Sequence, residues 1–227
     1  MGHMAVGNHL SMPLADRISQ QLRTEIIGGG LAPGKQLVEV DLSARYGASR
    51  NTIREALRQL GREGLTTFVR HKGVVVRRVQ AGDLRDIYAA RRTMELHAIV
   101  DGRAMTSATR DHMLATIKAS EQALAHQEWR TVGTLSLQVH QQIVAMLGSP
   151  LIDQFFETLC AQLRLVFASH PDESQIQTPD WIRREQQIYE HLSRDDRQAA
   201  LSELKTYLDL SERTLLEVVE HFSHANT

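Results

Sequence analysis

The stretch SRNTIREALRQLGREGL, residues 49–65, limits what this chain can fold into more than any other. Ile53, Leu57 and Leu60 recur at helical spacing with Ala56 between turns, so the segment is a helix with one apolar stripe. Ser49 stands just before it, where a hydroxyl can satisfy the orphan N–H groups of a first turn. Arg50, Asn51, Thr52 and Arg54 occupy the first turns. A helix that buries one side and carries arginines at its start calls for an anionic partner.

The flanking residues narrow that partner. Upstream, Leu14, Ile18, Leu22 and Ile26 define an amphipathic helix from Pro13 to Gly28, stopped by Gly28, Gly29 and Gly30. After the turn in LAPGKQL, the run EVDLSARYG, with Val40, Leu42 and Tyr46, has the length of a two-turn helix ending at Gly47. Downstream, the extended runs Leu65 to Val69 and Val74 to Val79 flank RHKG, a hairpin signal with Gly73 at the turn. Helix, glycine turn, basic helix and basic hairpin together are the plan of a winged helix-turn-helix, whose second helix enters the major groove of double-stranded DNA N-terminus first.

Charge follows the same division. Through Gln80 there are 12 Lys and Arg against 6 Asp and Glu, and beyond it 14 against 21. A basic module for a polyanion is thus joined to an acidic module that need not touch it. Cys160 is the only cysteine, which excludes an internal disulfide and a cysteine zinc cluster and fits a reducing compartment. No run approaches the roughly 20 apolar residues that span a bilayer, and no signal-peptide pattern opens the chain, so a cytoplasmic protein without a membrane partner is expected. Met1 to Met4, with His3, resemble an expression scar and are set aside.

Beyond Gln80 helical patterns follow one another over 83–105, 109–127, 129–147, 151–170, 179–193 and 196–222, broken at 148–150 and 169–179. The expected fold is therefore mainly α: a winged helix-turn-helix over residues 11–79 and an all-α bundle of about six antiparallel helices over 80–224.

The run SRNTIREALRQLGREGL followed by RHKGVVV resembles the winged helix-turn-helix of GntR-type bacterial transcription regulators. That resemblance implies DNA contacts by Arg50, Thr52 and Arg54 and, at the wing tip, by His71, Lys72 and Gly73. Arginine suits the role because its fork can take guanine O6 and N7 together. The usual family run has Thr-Pro after Ser-Arg, whereas Asn51-Thr52 stands here, so the operator sequence does not carry over. Arg58 and Arg62, farther along the helix, are phosphate contacts or solvated.

The second module is similar to the FCD domain of the FadR branch, whose Tyr-x-x-Arg-x-x-x-Glu signature stands here as Tyr88, Arg91 and Glu95. Most FCD domains carry a metal held by one aspartate and three histidines. The matching positions here are Ser136, His140, Glu185 and Tyr207, so three of four ligands have changed and neither metal nor other cofactor is expected. Flanked by apolar residues, these four are either a closed hydrogen-bond network or the lining of an effector cavity. Arg91 either clamps a ligand carboxylate or pairs with Glu95, and Arg164, amid apolar neighbours, is expected to face the same interior.

His97, His112, His126, His170, His191, His221 and His224 have no mutual spacing that argues for chemistry. Metalloprotease, phosphate-loop and nucleophile-elbow motifs are all missing, so an enzyme is not expected. The expected function is a homodimeric, ligand-responsive regulator, a repressor that leaves a palindromic operator when a small molecule, an organic acid by resemblance, enters the bundle. The competing readings are a constitutive DNA-binding protein with a structural bundle and a metal-dependent FCD sensor.

Overall fold

Helix α1, Leu14–Ile27, buries Ile18, Leu22 and Ile26 on the side it turns to α3, Arg50–Arg62, which answers with Ile53, Ala56, Leu57 and Leu60. Each of these leucines and isoleucines contributes about 1.5–3 kcal/mol on leaving water. Burial begins one turn into α1: Leu14 is 44% exposed, and Ser19 is buried. Between them, α2, Glu39–Tyr46, supplies only Leu42 to the core, leaves Val40 exposed, and ends at Gly47. The computed structural model describes residues 12–170, 172–176 and 179–224, the side chains as far as His221. Ser11, where the first domain was expected to start, the Met1 to Met4 segment, Pro171, Gln177, Thr178 and the His224 side chain lie outside them.

The wing is the antiparallel pair β1, Thr66–Val69, and β2, Gly73–Val76, in the register Thr66 to Val76 and Val69 to Gly73. Both strands are shorter than the expected runs. His71 and Gly73 turn the chain with φ of 69° and 74°, and the Lys72 N–H closes the turn on the Val69 carbonyl at 3.0 Å. An addition not legible in the sequence is a bridge from Gln36 to Val75, reinforced where Leu37 N–H donates to the Val74 carbonyl at 2.9 Å. The segment before α2 thus backs the wing.

Six helices follow: α4 Ala81–Asp101, α5 Ser107–Ala125, α6 Trp129–Ala145, α7 Pro150–Ser169, α8 Pro179–Ser193 and α9 Arg197–His224. A capping box between Gln80 and Asp83 starts α4, the Thr106 hydroxyl caps α5, and Pro150 opens α7 where its missing N–H costs nothing. In the bundle α4 and α8 lie along α9, α5 lies along α6, and α6 along α7. A short 3₁₀ turn, Glu173–Gln175, which has no periodicity to announce it, precedes α8. Among the described residues no helix is long and apolar enough to cross a membrane.

The two parts meet where α1 packs on α7. Arg23 of α1 bridges Glu63 at 3.0 Å and Glu157 of α7 at 2.9 Å, and Gln162 of α7 donates to the Glu63 carbonyl at 2.8 Å. Gly64, with φ of 70°, makes this approach possible: a Cβ there would stand 2.6 Å from Gln162 Nε2.

Candidate functional site

Two places gather the polar residues singled out in the sequence. The first is the outer face of α3 with the wing. Ser49 caps α3 by accepting from the Thr52 N–H at 3.2 Å, and the two hydroxyls lie 2.9 Å apart, so Thr52 is half-buried and partly engaged by the cap. Arg50 and Arg54 are exposed one turn apart. Arg54 is not free: its Nε donates to both carboxylate oxygens of Glu39, at 3.1 and 2.9 Å. Arg62 and Arg58 share Glu55, at 2.9 and 3.8 Å, which engages both side chains. His71 and Lys72 are exposed at the wing tip with Gly73 half-buried beside them, and the Gln36 side chain pins that tip by donating to the Lys72 carbonyl at 2.6 Å.

The second is a charged cluster inside the bundle. Arg91 and Glu95 stand one turn apart on α4, and Arg91 Nε donates to Glu95 Oε1 at 2.7 Å, with 2% and 0% of the side chains exposed. The other oxygen of Glu95 meets His140 Nδ1 of α6 at 2.6 Å. Burial pushes the Glu95 carboxyl up, but the Arg91 charge and His140 outweigh it and hold the group below the usual carboxylate range. Glu95 is therefore an anion, and His140 Nδ1 is the donor.

Around the other side of His140, Nε2 lies 3.9 Å from Glu185 Oε1 of α8. That oxygen also accepts from the Ser136 hydroxyl, one turn before His140, and from the Tyr207 hydroxyl of α9 at 3.3 Å. The Ser136 and Tyr207 hydroxyls are 3.1 Å apart, and the Tyr207 ring lies 4.5 Å from the imidazole between centroids. Burial raises the Glu185 carboxyl, only partly offset by His140, Ser136 and Tyr207, and raises the Tyr207 hydroxyl as well. Arg91 Nη2, His140 Nε2 and Glu185 Oε2 have no hydrogen-bond partner among the described residues.

Ser136, His140, Glu185 and Tyr207 thus come together, with Arg91 reaching them through Glu95. Arg164 does not join them. Its guanidinium grips Glu173 of the 3₁₀ turn through two bonds of 3.0 Å, and Nη2 reaches the Ile27 carbonyl at the end of α1, 3.4 Å away. Its side chain turns to the 3₁₀ turn and the end of α1 instead, so the expectation that it faces the same interior is corrected. Glu173 and Glu39 carried no signal of these partnerships, and Glu95 entered as the end of the Tyr88 and Arg91 signature and as one of two alternatives for Arg91. Burial pushes the Cys160 thiol up to about 12, so it stays protonated.

The donor set does not fit the metal that FCD domains usually hold. His140 spends Nδ1 on Glu95, a neutral tyrosine and a serine stand where an imidazole and a carboxylate would be needed, and Glu185 is occupied by their hydroxyls. Among the described residues no three His, Cys, Asp or Glu side chains are grouped to hold an ion.

Comparisons with known proteins match two stretches of the chain. The family described as bacterial regulatory proteins, gntR family, matches residues 14–76, and the FCD domain matches residues 86–210. Over 86 residues the chain is 36% identical to BphR of Paraburkholderia xenovorans LB400, an uncharacterized HTH-type transcriptional regulator; the match covers 38% of this chain and 35% of that protein. Over 74 residues it is 39% identical to the HTH-type transcriptional repressor GlaR of Escherichia coli K12, covering 33% of this chain and 34% of that one. The chain therefore spans about a third of the length of these curated relatives. The crystal structure of a protein described as a GntR transcriptional regulator from Rhodococcus sp. RHA1 is similar over 89% of this chain and 97% of its own, with a TM-score of 0.83 and 29% identity.

Proposed function

The chain belongs to the GntR family of bacterial regulatory proteins, with an FCD domain behind its winged helix-turn-helix, and from that premise we propose that it binds a palindromic operator as a homodimer and releases it when a small organic acid enters the bundle. It is a DNA-binding transcription regulator; the operator, the dimer, the acid and the repressing sign are the reading offered here. The cytoplasm, where the operator lies, is its place of action.

One observation carries the effector reading: Arg91 Nη2, His140 Nε2 and Glu185 Oε2 are buried polar atoms without a partner among the described residues. A purely structural bundle gains nothing from such atoms, each of which costs about 1–3 kcal/mol when left unsatisfied. A carboxylate suits the set. Arg91 offers a charged donor, and burial raises the Glu185 carboxyl, which lessens its repulsion of an acid. A metal-dependent sensor is disfavoured by the donor set, and a constitutive binder by the unpartnered atoms.

The test is thermal unfolding of the purified protein with a panel of small carboxylic acids beside their neutral amides and alcohols. An acid at 100 times its dissociation constant stabilises the fold by about 2.7 kcal/mol. Stabilisation by acids and not by their amides, with release of DNA by the same acids, is the expected result; stabilisation by neutral polyols alone overturns the acid. One recognition helix reads one half-site, and two related by symmetry read sites about 34 Å apart. Light scattering that shows a monomer at micromolar concentration, free and on DNA, overturns the dimer.

A further inference from the structure

Glu39 is an acid on a face that meets a polyanion. It opens α2, is half-buried, and takes Arg54 Nε through both oxygens, at 3.1 and 2.9 Å. A pair this exposed adds little to stability, so the fold alone does not account for it. The pair stands on the side of α3 that faces the wing: Glu39, Arg54, Arg58 and Phe68 line one cleft of about 340 Å³ between α3 and β1.

The chemistry of the contact is specific. A guanidinium carries five N–H groups in a rigid fork. Here the Nε edge is spent on Glu39, while neither Nη nitrogen has a partner among the described residues. The two Nη groups are the end of the fork that can take guanine O6 and N7 together. The carboxylate also cancels the arginine's charge toward phosphates, which draw any free guanidinium regardless of sequence. We propose that Glu39 is a positioning and specificity residue of the DNA reader: it holds the Arg54 fork end-on for a guanine and suppresses its binding to backbone phosphate. This rests on reading Arg54 as a base contact.

The effect has two signs, which separates it from a structural role. Losing the carboxylate weakens discrimination at one base pair and at the same time strengthens binding to DNA of any sequence. A good bidentate contact is worth roughly 5- to 150-fold between bases, and one more cation toward phosphate steepens the log–log salt slope by about 0.9.

A randomised duplex library is selected in parallel on the full-length protein and on Glu39→Gln, Glu39→Asp and Arg54→Ala, and binding to one fixed non-selected duplex is measured across salt. Wild-type protein is expected to yield a motif with a guanine that Arg54→Ala no longer selects. Glu39→Gln is expected to lower the preference at that guanine about tenfold, bind the non-selected duplex more tightly, and show the steeper slope. Glu39→Asp, which keeps the charge but shortens the reach, is expected to lose preference without gaining non-specific affinity. An unchanged guanine preference in Glu39→Gln, where Arg54→Ala abolishes it, overturns the proposal while the Arg54 reading stands. A motif unchanged in Arg54→Ala overturns the Arg54 reading and the proposal with it. Uniformly weaker binding of Glu39→Gln to all DNA, with a lowered unfolding midpoint, marks Glu39 as a prop for α2 and also overturns it.

Discussion

His140 and Glu95, 45 positions apart in the chain, meet through Nδ1 and Oε2 at 2.6 Å with neither side chain exposed. Because Arg91 holds the far oxygen of Glu95 and keeps it ionised, the imidazole is fixed as a donor on that side. Its other nitrogen is left for Glu185 or a ligand. The position that matches a metal ligand in other FCD domains is here part of a proton-bearing network.

Metal content should reflect that. Purified protein is expected to carry less than stoichiometric metal by elemental analysis, and chelation should leave DNA binding and effector response unchanged. Zinc or nickel at full occupancy after dialysis contradicts the reading of Ser136, Glu185 and Tyr207 as a non-ligand set.

Glu185 and Glu95 should respond to pH with opposite signs. Glu185 has a folded-state pKa raised by burial, so its contribution to stability is whole below the unfolded value of about 4.3 and is lost as pH rises through the folded value. Glu185→Gln cannot ionise, keeps an oxygen for Ser136 and Tyr207, and should gain on wild type as pH rises from about 4. Glu95 is shifted the other way, and its contribution is lost as pH falls through its folded value. Glu95→Gln should therefore lose most at neutral pH, by about 3–5 kcal/mol, because Arg91 is left buried without its counter-charge. Urea midpoints across pH check both; parallel curves for Glu185→Gln and wild type contradict the first.

Arg164→Met should destabilise the protein toward the lower end of about 3–5 kcal/mol, since it strands the buried Glu173 carboxylate. Arg130, whose Nε lies 3.9 Å from Glu173, softens the loss. The double variant Arg164→Met with Glu173→Leu should recover much of it. A double variant as unstable as the single one, by denaturant unfolding, would show that the stranded charge is not the cause.

At the DNA face, Arg54→Ala should cost about 1–3 kcal/mol on a specific site and relax one base. Lys72→Ala should weaken all sequences alike and lower the salt slope by about 1. Operator affinity unchanged by Arg54→Ala at fixed salt would remove Arg54 from the base-reading set.

Helices were legible because most of them carry a stripe that burial makes obligatory, as Ile53, Leu57 and Leu60 do in α3. Even α4 was readable despite its buried charges, since Tyr88, Arg91 and Glu95 repeat at helical spacing and all turn inward. Partners across the fold were not. The inward facing of Ser136, His140, Glu185 and Tyr207 follows from periodicity, but that His140 takes Glu95 depends on how α4 and α6 are set against each other. Arg164 has apolar neighbours on both sides of it in sequence, which says that it is buried and not which wall it faces. Glu173 lies in a turn and Gln36 in a loop, where no repeat marks what they bind.

The joint between the two parts is made at two places through main-chain oxygens: Arg164 takes the carbonyl of Ile27, and Gln162 that of Glu63. A carbonyl is the same whatever side chain the residue bears. The bundle can therefore keep its hold on the DNA-reading part while side chains there drift, so that new operator preferences can evolve in this lineage without the joint having to be reinvented. Gly64 and Arg23 are exceptions: a Cβ at Gly64 would stand 2.6 Å from Gln162 Nε2, and Arg23 holds Glu157 through its own side chain.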